Sequence, residues 1–118
     1  MINGAHVIIY SVNAAADRAF FKDVLQFKYV DAHSGWLIFK LPPAEIAVHP
    51  TDGPGKHEFY LMCDDIEKTL ADLTARGVTI SHPASDQGWG LLATMKLPSG
   101  SELSIYQPRH PIAYELEG

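Results

Sequence analysis

The chain has 118 residues, of which 47% are hydrophobic and 19% charged, the composition of one ordinary globular domain. Its net charge of −5 lacks the basic footprint that nucleic acid or an anionic membrane requires, so neither is an expected partner. The opening run Met1-Ile2-Asn3-Gly4-Ala5-His6 has no basic, apolar leader, and one cysteine, Cys63, cannot close an internal disulfide; a cytoplasmic protein with Cys63 in its core is expected.

In chain order, β-branched Val7 to Val12 predicts a strand. Asn13 then marks a helix start, and Phe20, Phe21, Val24 and Leu25 supply the apolar stripe of the helix. A short strand is expected at Phe27 to Val30, then Trp36 to Leu41 pairing with Ala44 to His49 through Pro42-Pro43. Thr51-Asp52-Gly53-Pro54-Gly55 reads as a linker. The order then starts again. Phe59 to Cys63 is a strand, Asp64 with Glu67 resembles a capping box, and Ile66, Leu70 and Leu73 fall at helical spacing before a C-terminal Gly77. Val78 to Ser81 is a short strand, and Leu91 to Leu97 pairs with Glu102 to Tyr106 through Pro98-Ser99-Gly100.

Each half thus reads strand, helix, three strands, and the halves share residues as well as pattern. Gly4-Ala5-His6 returns as Gly55-Lys56-His57, and Lys40-Leu41-Pro42-Pro43-Ala44-Glu45 as Lys96-Leu97-Pro98-Ser99-Gly100-Ser101-Glu102. The offset between matched residues only grows along the chain, as loop insertions in a duplicated unit would make it. The expected fold is α+β: one domain over 1–118, built of tandem βαβββ modules at about 1–50 and 55–108 with a short C-terminal tail, its mixed sheet curved into a cup.

Equivalent side chains of two copies packed about a pseudo-two-fold axis converge on one point. Strand alternation groups His6 with Ile8 and Tyr10, His57 with Phe59 and Leu61, Glu45 with Ala47 and His49, and Glu102 with Ser104 and Tyr106. If the curved sheet turns these faces inward, two histidines and two glutamates meet among apolar walls. Neutral imidazole and carboxylate suit Fe(II), Mn(II), Co(II), Ni(II) or Zn(II), and a set with open positions lets the ion act as a Lewis acid. His49, two residues past Glu45, is placed as a supporting donor or proton carrier. His33, His82 and His110 lie in loop or tail contexts and are assigned to solvent. Asp86-Gln87-Gly88-Trp89-Gly90 is the most distinctive loop, with Trp89 either lining the cup or packing under a hairpin.

The paired βαβββ units, each with His near its start and Glu in its closing strand, resemble the vicinal oxygen chelate superfamily, which includes glyoxalase I, extradiol dioxygenases, and the bleomycin and fosfomycin resistance proteins. The resemblance reaches to about Pro108. It implies a divalent metal held either by His6, Glu45, His57 and Glu102, as in bacterial-type glyoxalase I, or by His6, His57 and Glu102, as in extradiol dioxygenases. It implies a small substrate with vicinal oxygens and dioxygenase or isomerase/lyase chemistry, with Glu45 or Glu102 moving a proton in the isomerase case. It also implies an alternative, a non-catalytic protein that sequesters an antibiotic-like ligand. Small members of the family resemble homodimers in which His6 and Glu45 of one chain meet His57 and Glu102 of the other, and the short, proline-stiffened linker favours such an exchange.

Overall fold

The computed structural model describes residues 6–116, and the expected α+β fold is observed with two separate sheets. The first half contributes helix α1 (Ala14–Ala19), strand β1 (Tyr29–Asp31) and strand β2 (Leu37–Phe39). The second contributes β3 (Tyr60–Met62), α2 (Ile66–Ala75), β4 (Ile80–Asp86), β5 (Gly90–Lys96) and β6 (Glu102–Pro108), followed by a 3-10 turn at Ala113–Glu115. Among the described residues no helix is long and apolar enough to cross a membrane.

The second half follows the expected order. Its sheet runs β3-β6-β5-β4, with β3 parallel to β6 and the remaining pairs antiparallel. The Asp65 carboxylate caps α2 by accepting the Lys68 N–H at 3.1 Å, one residue later than Asp64, where the cap was expected. Gly77 closes the helix at φ +87°, and the Val78 N–H returns to the Leu73 carbonyl at 3.0 Å. Ile66 and Leu73 on α2 pack against Ala93, Met95, Leu103 and Ile105, so this face of the sheet is the core side. Cys63 lies against the same core.

The first half departs from expectation. Asn13 caps α1 as predicted, accepting the Ala16 N–H at 3.2 Å. The helix then widens into a π turn at Phe20–Val24, closed by Leu25 N–H to Phe20 carbonyl at 3.1 Å, and both phenylalanines enter the core of the second half. β2 pairs with β1, not with Ala44 to His49. Neither Val7 to Val12 nor Ala44 to His49 joins a ladder, although both carry strand-forming residues, because a strand is stable only with a partner edge and a surface to cover. Val12 (94% exposed), Ile46 (92%) and Val48 (92%) are consequently left in solvent. The chain exposes 8963 Å², against roughly 6,300 Å² expected for a compact monomer of its mass. The two sheets, of two and four strands, stay open and separate in this copy.

Candidate functional site

Register identifies the face of the second sheet that is free to meet a ligand. Ala93, Met95, Leu103, Ile105 and Leu61 point to the core, so their neighbours Leu92, Thr94, Ser104, Tyr106, Tyr60 and Met62 point to the open side. Across this face the Thr94 and Ser104 hydroxyls sit 3.1 Å apart. Three aromatic rings gather beside them. Trp89 packs edge-to-face on Tyr106 with centroids 5.1 Å apart, and Tyr60 lies 5.9 Å from Tyr106 and 6.3 Å from Trp89.

The β4–β5 turn places Trp89. Gln87 N–H bonds to Gly90 carbonyl at 2.9 Å, the Asp86 carboxylate accepts the Gly88 N–H at 2.9 Å, and the Arg109 guanidinium clamps the same carboxylate at 2.6 Å while its backbone N–H reaches the Trp89 carbonyl at 2.9 Å. Arg109 and then Gly88 hold the Asp86 carboxyl below its ordinary pKa. Gly90 is needed for close approach: a Cβ there would fall 2.7 Å from the Gln107 carbonyl oxygen and 3.1 Å from the Tyr106 ring. The loop therefore lines the open face, one of the two roles expected for it.

Carboxylates border the rings. Tyr60 donates its phenol proton to Glu58, which pushes the Tyr60 pKa up to about 12 and draws the Glu58 pKa down, with Lys56 and His49 adding to the latter. Tyr106 is only 8% exposed, and burial first, then the charge of Glu45 and the neighbouring Tyr114, raise its phenol pKa. Its hydroxyl lies 3.2 Å from Nε2 of His110. Trp89 (40% exposed) and Tyr60 (36%) leave ring surface free to receive a flat molecule.

The four residues expected as metal ligands do not form a group of three or more among the described residues of one copy. Glu102 begins β6 on the open face, where it accepts the Ser81 hydroxyl at 2.7 Å and lies 3.4 Å from His82, which therefore has a carboxylate partner as well as solvent. His57 is exposed and lies in step with Phe59 and Leu61, both packed on the core; Glu58, in step with Tyr60, takes the open-face position. His6 stands at the exposed start of the unpaired segment. Glu45 is half-buried, and its Oε1 is buried without a hydrogen-bond partner among the described residues. No three His, Cys, Asp or Glu side chains among the described residues approach closely enough to hold one ion, so a single copy does not fit the shared metal.

Sequence reasoning grouped Tyr106 with Glu102 and Ser104 but missed the ring cluster and assigned His110 to solvent. The available signal was the spacing Tyr106-Gln107-Pro108-Arg109-His110-Pro111, in which two prolines turn the tail back toward the strand it leaves.

Several solved structures share this fold. An antibiotic-binding protein, TnmS3, from Streptomyces sp. CB03234 is 24% identical with a TM-score of 0.60, covering 92% of this chain and 99% of that one. A lactoylglutathione lyase from Agrobacterium tumefaciens is 16% identical with a TM-score of 0.65, covering 89% and 92%. A superfamily member from Sphaerobacter thermophilus DSM 20745 is 22% identical with a TM-score of 0.57, covering 90% and 98%. A search of curated proteins finds no match. Residues 5–105 match the family described as Glyoxalase/Bleomycin resistance protein/Dioxygenase superfamily, and the chain belongs to it.

Proposed function

We propose that the protein binds a small planar molecule on the open face of its second sheet, and that a second copy completes the cup over that face. The observation that carries this reading is the convergence of Tyr60, Trp89 and Tyr106 beside the Thr94–Ser104 hydroxyl pair. Aromatic walls with a few placed polar groups are the usual lining of a small-molecule site. Antibiotic binding by TnmS3 accords with this reading.

The need for a second copy rests on area. The surface in excess of a compact monomer is about 2,600 Å² per chain by the scaling of folded chains, or roughly 5,200 Å² for two copies, at the upper end of what obligate dimers bury. Much of it is apolar chain at Val7 to Val12 and Ile46 to Val48.

Metal-dependent lyase or dioxygenase chemistry is a second reading, favoured by the unpartnered buried oxygen of Glu45. It requires the dimer to gather His6, Glu45, His57 and Glu102 from two chains, with the ion supplying Lewis acidity once bound.

One comparison separates the two. Protein purified without chelators or affinity tags is analysed for metal, and binding of a planar aromatic probe is measured by equilibrium dialysis, before and after chelation. The small-molecule reading expects binding that survives chelation and weakens about tenfold in Trp89→Ala, the equivalent of ~1.4 kcal/mol. Stoichiometric metal with probe binding abolished by chelation overturns it in favour of the metal reading.

A further inference from the structure

The tail that follows β6 places a base against the ring cluster. His110 Nδ1 lies 2.7 Å from the carbonyl oxygen of Pro111. A carbonyl can only accept, so Nδ1 carries the ring proton and Nε2 of the neutral imidazole is left with its lone pair. Nε2 faces the Tyr106 hydroxyl at 3.2 Å, so the phenol donates to it. The phenol oxygen keeps its own lone pairs for another donor. A hydroxyl, a base and a group that fixes the base's tautomer are thereby lined up at the open face, the general arrangement of a proton-transfer site.

We propose that Tyr106 and His110 form a proton relay that ionises the hydroxyl of a phenol bound on the open face, an inference resting on the reading of that face as a small-molecule site. In the step, the ligand O–H bond breaks as its proton passes to the Tyr106 oxygen, and the proton already on Tyr106 passes to His110 Nε2. The products are a bound phenolate and an imidazolium; no electrons are exchanged and Tyr106 is neutral before and after.

Burial and the Glu45 charge hold the Tyr106 phenol above its ordinary pKa, so Tyr106 conducts the proton without itself remaining ionised. Tyr114 and Tyr60 are the other titratable groups facing Tyr106, Tyr60 being committed to Glu58, and Arg109 is engaged by Asp86. The ring of a phenol is the shape the exposed surfaces of Tyr60 and Trp89 accept. Its hydroxyl, of ordinary pKa about 10, becomes acidic enough to pass a proton to an imidazole when electron-withdrawing substituents on the ring lower it, so the ligand class is an electron-poor phenol.

The test uses 4-nitrophenol, whose absorption band moves on ionisation, with the full-length protein in chelator-containing buffer so that an adventitious ion does not ionise the dye. 4-Nitroanisole, which has no proton to give, serves as the reference for binding, measured by equilibrium dialysis. The bound nitrophenol is expected to ionise about one pH unit below the free dye, a tenfold effect. In His110→Gln and, independently, in Tyr106→Phe, the spectrum of the bound fraction is expected to return to the free-dye profile. Binding with no displaced ionisation, or a displacement that survives both substitutions, overturns the relay while leaving the binding face in place. Failure of both dyes to bind overturns the face itself, and the relay with it.

Discussion

Asp17 offers the sharpest test of how the two halves are joined. It lies on α1, 5% exposed, and its carboxylate accepts the Ser99 N–H at 3.0 Å on one oxygen and the Ser99 hydroxyl at 2.8 Å on the other. Ser99 sits in the β5–β6 turn, so a first-half helix is tied to a second-half hairpin. Hydrogen bonds to a charged group contribute about 1.5–3 kcal/mol each, and desolvating the carboxylate offsets part of that gain. Asp17→Ala removes both bonds and leaves the Ser99 N–H without its partner, so a loss of about 2–3 kcal/mol is expected. Asp17→Asn keeps one acceptor and Ser99→Ala keeps the backbone bond, and each is expected to cost about 1 kcal/mol. Urea unfolding at fixed protein concentration reads the difference: with a slope of about 1–3 kcal/mol per molar, the alanine variant's midpoint falls by roughly 1–2 M. A midpoint for Asp17→Ala equal to that of the parent would refute the assignment of this pair as the tie between the halves.

Gly90→Ala pushes a methyl group against the Gln107 carbonyl and the Tyr106 ring, neither of which can swing away, and is expected to cost about 2 kcal/mol, read as a fall in thermal midpoint; an unchanged midpoint contradicts the packing described. Tyr60 is expected to ionise near pH 12 in ultraviolet titration and to move back toward 10 in Glu58→Gln. Because its folded pKa is raised, its contribution to stability is full below the unfolded value near 10 and is lost as pH rises through about 12; a normal Tyr60 titration disproves the Glu58 bond. Ile46→Lys and Val48→Lys are expected to be nearly neutral if those side chains face water and to weaken a dimer at least tenfold if a second copy covers them. Sedimentation equilibrium distinguishes the two, and a parent protein that is monomeric throughout removes the dimer from consideration.

Features set by local chemistry were legible in the sequence. The Asn13 cap, the Gly77 terminus and the Pro98-Ser99-Gly100 hairpin each depend on a few adjacent residues, and each is present. The second helix cap was displaced by a single residue because Asp64 and Asp65 are chemically equal and only the path of β3 selects between them. The first-half strands were legible as patterns but not as ladders, since apolar alternation states which face seeks cover and not what supplies it. The metal set depends on more than matching position. Matching positions in the repeat put His57 with His6, but the face a residue occupies is set by its neighbours, and Phe59 and Leu61 claim the core. The ring cluster draws on β3, the β4–β5 turn, β6 and the tail, and no sequence period connects those places.

The two halves of the chain do not contribute equally to the fold. Phe20 and Phe21, carried by the first half, are buried with Ile66, Leu73, Leu97 and Leu103 of the second, so both halves draw on one core built against the second sheet. The first half gives its helix to that core and has little left to cover its own strands. Where the halves meet, a 170 Å³ apolar cleft lined by Leu25, Phe27, Leu61 and Leu73 marks the incomplete join. If a second copy covers those strands and closes over Tyr60 and Trp89, assembly and ligand binding become linked equilibria. Whatever factor the ligand adds to the dimer constant, the dimer must add to ligand affinity, because both describe the same cycle of states. Ligand affinity measured below and above the dimer dissociation constant would then differ by that factor, so the protein concentration at which the open face is assayed is itself a variable of the site.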